Sequence, residues 1–171
     1  MTIGKPIMAY VTDSFTRPTG TTQYTASPPD LVANDTDAGD VEPLEFAIGT
    51  GNGRGVKIVG ARIQKSDGAD VTGATFTLHL YASEPTSAVG DNGAFSTDTA
   101  NYIGAIAFPA MTSYTDDALA VVHAGAVTGG INPVFTYLRS TSTIYGLLAA
   151  LGTYTPADSE VFTVSLIIEQ Y

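Results

Sequence analysis

Thr75-Phe76-Thr77-Leu78-His79-Leu80-Tyr81, followed after a turn-rich link by Tyr102-Ile103-Gly104-Ala105-Ile106-Ala107-Phe108, is the stretch whose reading decides the fold. In the first run apolar and polar positions alternate. In an extended chain this sets Phe76, Leu78 and Leu80 on one face and Thr75, Thr77, His79 and Tyr81 on the other, the pattern of a half-buried strand. The link carries Glu84-Pro85 and Gly90-Asp91-Asn92-Gly93-Ala94-Phe95, both turn chemistry, and the second run stops at Pro109. Two strands joined by a loop are expected, and no catalytic group stands in either.

Working outward, the same signals recur at spacings near ten residues, the habit of sandwiches and barrels. On the N-terminal side, strands are expected at Ile7-Met8-Ala9-Tyr10-Val11 and, shorter, at Thr21-Thr22-Gln23-Tyr24-Thr25. Pro28-Pro29 blocks helix, and the polar run 33–40 reads as an exposed loop. Leu44-Glu45-Phe46-Ala47-Ile48, the glycine-rich turn 49–55 and the run 56–65 read as a hairpin-like pair. On the C-terminal side come a turn at Thr112-Ser113, the run Leu119-Ala120-Val121-Val122, a loop over 125–130, and Val134-Phe135-Thr136-Tyr137-Leu138. Ile144 to Leu151 suits either a buried helical turn or a buried strand, and its neighbours favour strand. Phe162, Val164, Leu166 and Ile168 share one face of a closing strand. No fixed-period repeat is present, which argues against solenoids and propellers. The expectation is one all-β domain over 1–171, an antiparallel β-sandwich of jelly-roll-like form, with an extended N-terminal segment over 1–27.

Composition agrees. A chain of 171 residues fits one domain able to bury roughly 70% of its unfolded surface. Hydrophobic residues at 44% against 14% charged ones argue for a packed core, and 18 Gly with 9 Pro mark frequent reversals. Seven Lys plus Arg against 17 Asp plus Glu give 7 − 17 = −10, which disfavours nucleic acid and anionic membranes. Without Cys there is no disulfide, thiol nucleophile or Cys-based zinc site, so packing or assembly must supply stability. The N-terminus has no continuous apolar region and predicts no signal peptide. The longest apolar window, near Ile144 to Leu151, is far short of the ~20 residues of a membrane helix.

Candidate chemistry is sparse. His79 and His123 each lack a second His at metal spacing, and structural roles are expected for both. The loop Asp35-Thr36-Asp37-Ala38-Gly39-Asp40 offers oxygen ligands, but its Gly stands one place early for an EF-hand and Phe46 occupies the twelfth position, so a solvated acidic loop is expected over 34–42 and calcium is the lesser reading. Asp116-Asp117 and Glu42 with Glu45 are assigned to the surface. The run 49–55 lacks the Gly-Lys-Ser/Thr ending of a phosphate loop and leads into a β-branched strand. No Gly-x-Ser-x-Gly elbow occurs. Tyr residues, with no Trp beside them, point to core and interface packing ahead of a sugar platform. The expected sites are therefore catalytic none, cofactor none and metal none, and the chain is read as not an enzyme.

Thr16-Arg17-Pro18 followed by Thr21-Thr22-Gln23-Tyr24-Thr25-Ala26, with Asp30-Leu31-Val32, Leu44-Glu45-Phe46-Ala47, Gly60-Ala61-Arg62-Ile63, Leu78-His79-Leu80-Tyr81, Asp91-Asn92-Gly93-Ala94-Phe95 and Tyr154-Thr155-Pro156, resembles a family of small virion structural proteins of tailed bacteriophages. Pro28-Pro29 stands where the family usually has Gly. The resemblance covers most of the chain and rests on packing and turn residues. It implies a capsid decoration (cement) protein on the outer surface of the capsid, with the major capsid protein as partner. A homo-oligomer, a trimer, follows from that role and from strands that carry apolar residues on both faces. The alternative is a tail or fibre-associated module that binds host surface glycan.

Overall fold

The computed structural model describes residues 7–49, 56–123, 134–136 and 142–170, with 134–136 described through their backbone. Among the described residues eleven strands are formed: β1 (Ile7–Thr16), β2 (Leu31–Val32), β3 (Leu44–Ala47), β4 (Val56–Lys65), β5 (Phe76–Tyr81), β6 (Tyr102–Ala107), β7 (Thr112–Ser113), β8 (Ala118–His123), β9 (Val134–Thr136), β10 (Thr143–Ala150) and β11 (Val161–Gln170). One short 3-10 turn, Ala38–Asp40, is capped by the Asp37 carboxylate, which accepts from Gly39 N.

Two antiparallel sheets pack face to face. The first has the order β1-β11-β4-β8-β7, with β9 also on β4; the second has the order β2-β10-β5-β6, with β3 also on β10. The long strands pair as a nested ribbon: β5 with β6, β4 with β8, β3 with β10, and β1 with β11. Alternation decides what goes inside. Ile58, Ala61, Ile63, Val164, Leu166 and Ile168 from the first sheet meet Phe46, Leu78, Leu80, Ile144 and Leu148 from the second in one core. Aromatic rings run through it, with Phe15 stacked on Phe162 at 5.6 Å and Phe76 edge-on to both Phe162 and Tyr154.

The all-β sandwich expected from the strand pattern is what forms, and β10 is a strand. Four local expectations need correction. Residues 44–48 and 56–65 do not form a hairpin: β3 lies in the second sheet and β4 in the first, because each pairs with an apolar strand elsewhere, β3 with β10 and β4 with β11. The polar face of β5 is not solvated, since Tyr81 is buried in a small cluster with residues of the 27–42 and 82–101 loops and Thr77 is buried as well. Thr112-Ser113 is a short strand on β8, not a turn. Within 21–25 only Tyr24 pairs, through an isolated bridge to Tyr154. The N-terminal extended segment is, over Ile7–Thr16, an edge strand of the first sheet. The expected loop at 125–130 and residues 137–138 lie outside the described residues.

Candidate functional site

Two buried charge pairs dominate the interior chemistry. Arg17 Nη2 donates to Asp91 Oδ2 at 2.6 Å with both side chains 3% exposed, and Lys65 Nζ donates to Glu160 Oε1 at 2.8 Å with both fully buried. A charge taken out of water is tolerated only with full partnering, and both sites supply it. Asp91 also accepts from the Tyr24 hydroxyl at 2.6 Å and from Ala33 N at 2.9 Å. Arg17 donates in addition to Tyr24 and to the carbonyls of Gly20 and Ala157. Lys65 donates to Asp67 O, and Tyr154 donates to Glu160 Oε2.

The two groups join. Tyr24 and Tyr154 stack at 6.0 Å and 8°, the Arg17 guanidinium lies 5.0 Å from the Tyr24 ring, and Lys65 Nζ lies 5.3 Å from the Tyr154 ring. Backbone bonds Arg17 N to Glu160 O and Tyr24 N to Tyr154 O close the set. Asp91, Arg17, Tyr24, Tyr154, Glu160 and Lys65 thus tie four remote pieces of chain: the end of β1 with the segment after it, the 82–101 loop, the end of β4 and the turn before β11. Burial first, reinforced by the neighbouring carboxylates, pushes both tyrosine hydroxyls far above their usual range, so they act as permanent donors. No reactant reaches atoms so enclosed, and the arrangement fastens without offering a catalytic surface.

A second cluster sits on the outer side of β5. The His79 ring is 4.5 Å from Phe95 and 6.0 Å from Tyr102, with Nδ1 3.2 Å from the Tyr102 hydroxyl. Burial lowers its pKa to about 4, so at neutral pH it is an uncharged aromatic. Beneath it Tyr81, Leu31, Ala33 and Leu147 form a small second core, and burial pushes the Tyr81 hydroxyl up to about 12, with Tyr102 and Asp98 adding to it.

The remaining candidates are dispersed. His123 is exposed at the end of β8. In the acidic loop, Asp35 and Asp37 accept from backbone N–H groups within it, and Glu42 pairs with Asn34. Among the described residues no group of three or more His, Asp or Glu is placed to hold a metal ion. Glu45 is turned outward, its N–H bonded to Asp13, while Asp117 accepts from Gln64 at 2.5 Å; neither joins a second carboxylate. Of the glycine-rich run, Gly49 is described and the rest is not. A crevice lined by Phe15, Val32, Val41, Leu44, Gly146 and Leu148 has room for about one water.

No protein-family model matches the chain, and a search of curated proteins returns no match.

Sequence reasoning did not foresee the two ion pairs. The signal was present for one: Lys65 continues the inward register of Ala61 and Ile63, and a cation in that register requires a buried acid. Nothing local marks Glu160 or Asp91 as its or Arg17's counterpart, because each partner comes from a distant segment.

Proposed function

We propose that the chain is a capsid decoration, or cement, protein of a tailed bacteriophage, bound to the major capsid protein on the outer surface of the head and acting by binding energy alone. The observation that carries this reading is the convergence of the resemblance-bearing residues: Arg17, Tyr24, Asp91 and Tyr154 meet in one enclosed fastening. A buried, fully partnered fastening suits a protein whose task is to hold its shape between capsid subunits. We read the connectivity as a jelly roll. Counting the eight main strands in chain order, the partners 1–8, 2–7, 3–6 and 4–5 are those of a long ribbon rolled on itself. Among the described residues no base, nucleophile or metal set can be named at an accessible place, so an enzymatic role is not proposed.

In this role the protein, as a homotrimer, spans neighbouring capsid subunits, so that outward pressure must break added interfaces, each on the scale of about 1,600 Å². Virions stripped of it should lose resistance to heat and osmotic shock and regain it on adding the protein back. Unchanged resistance overturns the mechanism.

The second reading, a tail or fibre module for host glycan, draws on Tyr10, Tyr102 and Tyr114, which are 70%, 40% and 55% exposed. Labelling in intact virions separates the two: signal over the head supports decoration, signal confined to the tail supports the glycan module.

A further inference from the structure

The two outer faces of the sandwich are finished differently. Over the second sheet the loops bury Leu31, Ala33, Tyr81 and Leu147. Over the first sheet, outward side chains of β1 and β8 stand exposed, among them Met8, Tyr10, Thr12, Ser14, Val121 and His123. Registers place Tyr10, Ile167, Gly60 and His123 in one row across four strands, and Thr12, Ser165, Arg62 and Val121 in the next; within them Ile167 and Ser165 on β11 are buried, so the exposed groups are those of β1, β8 and Arg62. A Cβ on Gly60 would stand 2.8 Å from the Val122 carbonyl oxygen, 3.0 Å from Ile167 Cδ1 and 3.3 Å from His123 Nδ1, so the close approach of the neighbouring backbone leaves no room for a side chain there.

Charge singles this face out. The charged groups at this face are Lys57, Arg62, Glu169 and Asp117, the last bonded to the outward Gln64, giving 2 − 2 = 0, whereas the whole chain carries −10. The rest of the molecule therefore holds the whole −10. Two such molecules repel each other through any acidic surface, and like-charge juxtaposition across an interface is costly. The open face is where they can approach without it. Its extent also suits. β1, β11 and β4 are each 10 residues long. At ~3.3 Å per residue and ~4.8 Å per strand, four strands offer about 600 Å² of flat area, close to the ~800 Å² of accessible surface each partner gives to a specific interface.

We propose that the outer face of the first sheet is the contact between copies of this chain, with Tyr10 and Val121 packed against the neighbouring copy. This rests on the homo-oligomer of the preceding reading and names its surface. Light scattering on purified protein at about 100 µM should give a multiple of the 17.7 kDa chain mass. The double variant Tyr10→Asp/Val121→Asp should give the monomer mass with unchanged circular dichroism, while Leu151→Asp, at an exposed apolar position just past the end of β10, should keep the wild-type mass. Because the chain has no Cys, Thr12→Cys provides a readout independent of the charged variants: its maleimide labelling should slow at least 10-fold between dilute monomer and associated protein. An oligomer that survives the double variant, or labelling that does not slow, overturns the assignment of this face. A monomeric wild type overturns the oligomer itself, and the decoration reading is then judged separately by virion labelling.

Discussion

Lys65 and Glu160 show what burial demands of single residues. Removing one partner leaves a desolvated charge, so Glu160→Leu should cost about 3–5 kcal/mol. The double variant Lys65→Met/Glu160→Leu should recover a large part of that, because it removes the charge along with its partner. Urea unfolding midpoints of the two variants measure the difference, and equal midpoints would show that Lys65 finds water in the native state. Tyr24 and Tyr154 give a second expectation. Their folded pKa values are raised above the unfolded value near 10, so their contribution is complete below about pH 10 and declines as the pH rises further. In absorbance titration at 295 nm, two of the nine Tyr should ionise only with unfolding, and Tyr24→Phe should leave one. His79 has the opposite sign: its pKa falls from 6.5 to about 4, so its contribution is complete above about pH 6.5 and is lost as the pH drops to about 4. The stability gap between wild type and His79→Phe should narrow or reverse over that window. A gap independent of pH would mean the imidazole titrates normally.

Among the strands, β10 is the most confined, since it is buried from Gly146 to Ala150 and pairs β3 and β2 on one side and β5 on the other. A Cβ on Gly146 would meet Leu78 Cδ1 at 2.9 Å and Phe46 Cε2 at 3.0 Å. Gly146→Ala should therefore destabilise by about 1–3 kcal/mol through overpacking, although alanine ordinarily favours a strand over glycine. A higher melting temperature would show that the sheets can separate slightly at no cost. How far such elements were legible depends on the range of the forces that set them. Period-2 alternation is local, so β5 and β11 could be read from residues such as Phe76, Leu78, Val164 and Leu166, whereas β6 was legible only as an apolar run ending at Pro109 and β10 only through its strand-like neighbours. Partner choice is not local. The glycine-rich run 49–55 reads as a hairpin turn, yet β3 and β4 part into different sheets because the apolar faces of β10 and β11 are better partners. Nor could the outward Tyr81 reveal that the 27–42 and 82–101 loops would fold over it. The same limit hid the fastening network: its six residues were visible one by one, four of them within motifs noted for their resemblance, but their convergence belongs to the fold.

Across the whole molecule, the first described strand pairs along its full length with the last: β1 and β11 run in register from Ile7–Gln170 to Thr16–Val161. The sheet that carries this pair can close only when both ends of the chain are in place, and the Phe15–Phe162 stack and the Arg17 N to Glu160 O bond tighten the same junction. Pairings so distant in sequence must overcome loop-closure entropy before they return any stability, so folding should fall in the slow range of all-β domains, milliseconds to seconds. A chain lacking residues 1–16 should lose more than one strand's worth of stability. It leaves β11 as an open ten-residue edge, uncovers Phe162, and separates Arg17 from the strand that delivers it to Asp91. An unprotected edge of that length is a template for pairing with other chains. The expected outcome for the truncated protein is a broad, non-cooperative melt with concentration-dependent aggregation, whereas the full chain should unfold in one transition seen alike by circular dichroism and tyrosine fluorescence. If the truncated protein melted sharply as a soluble species, the remaining strands would suffice to close the sandwich, and β1 would be an appended strand with no part in the cooperative fold.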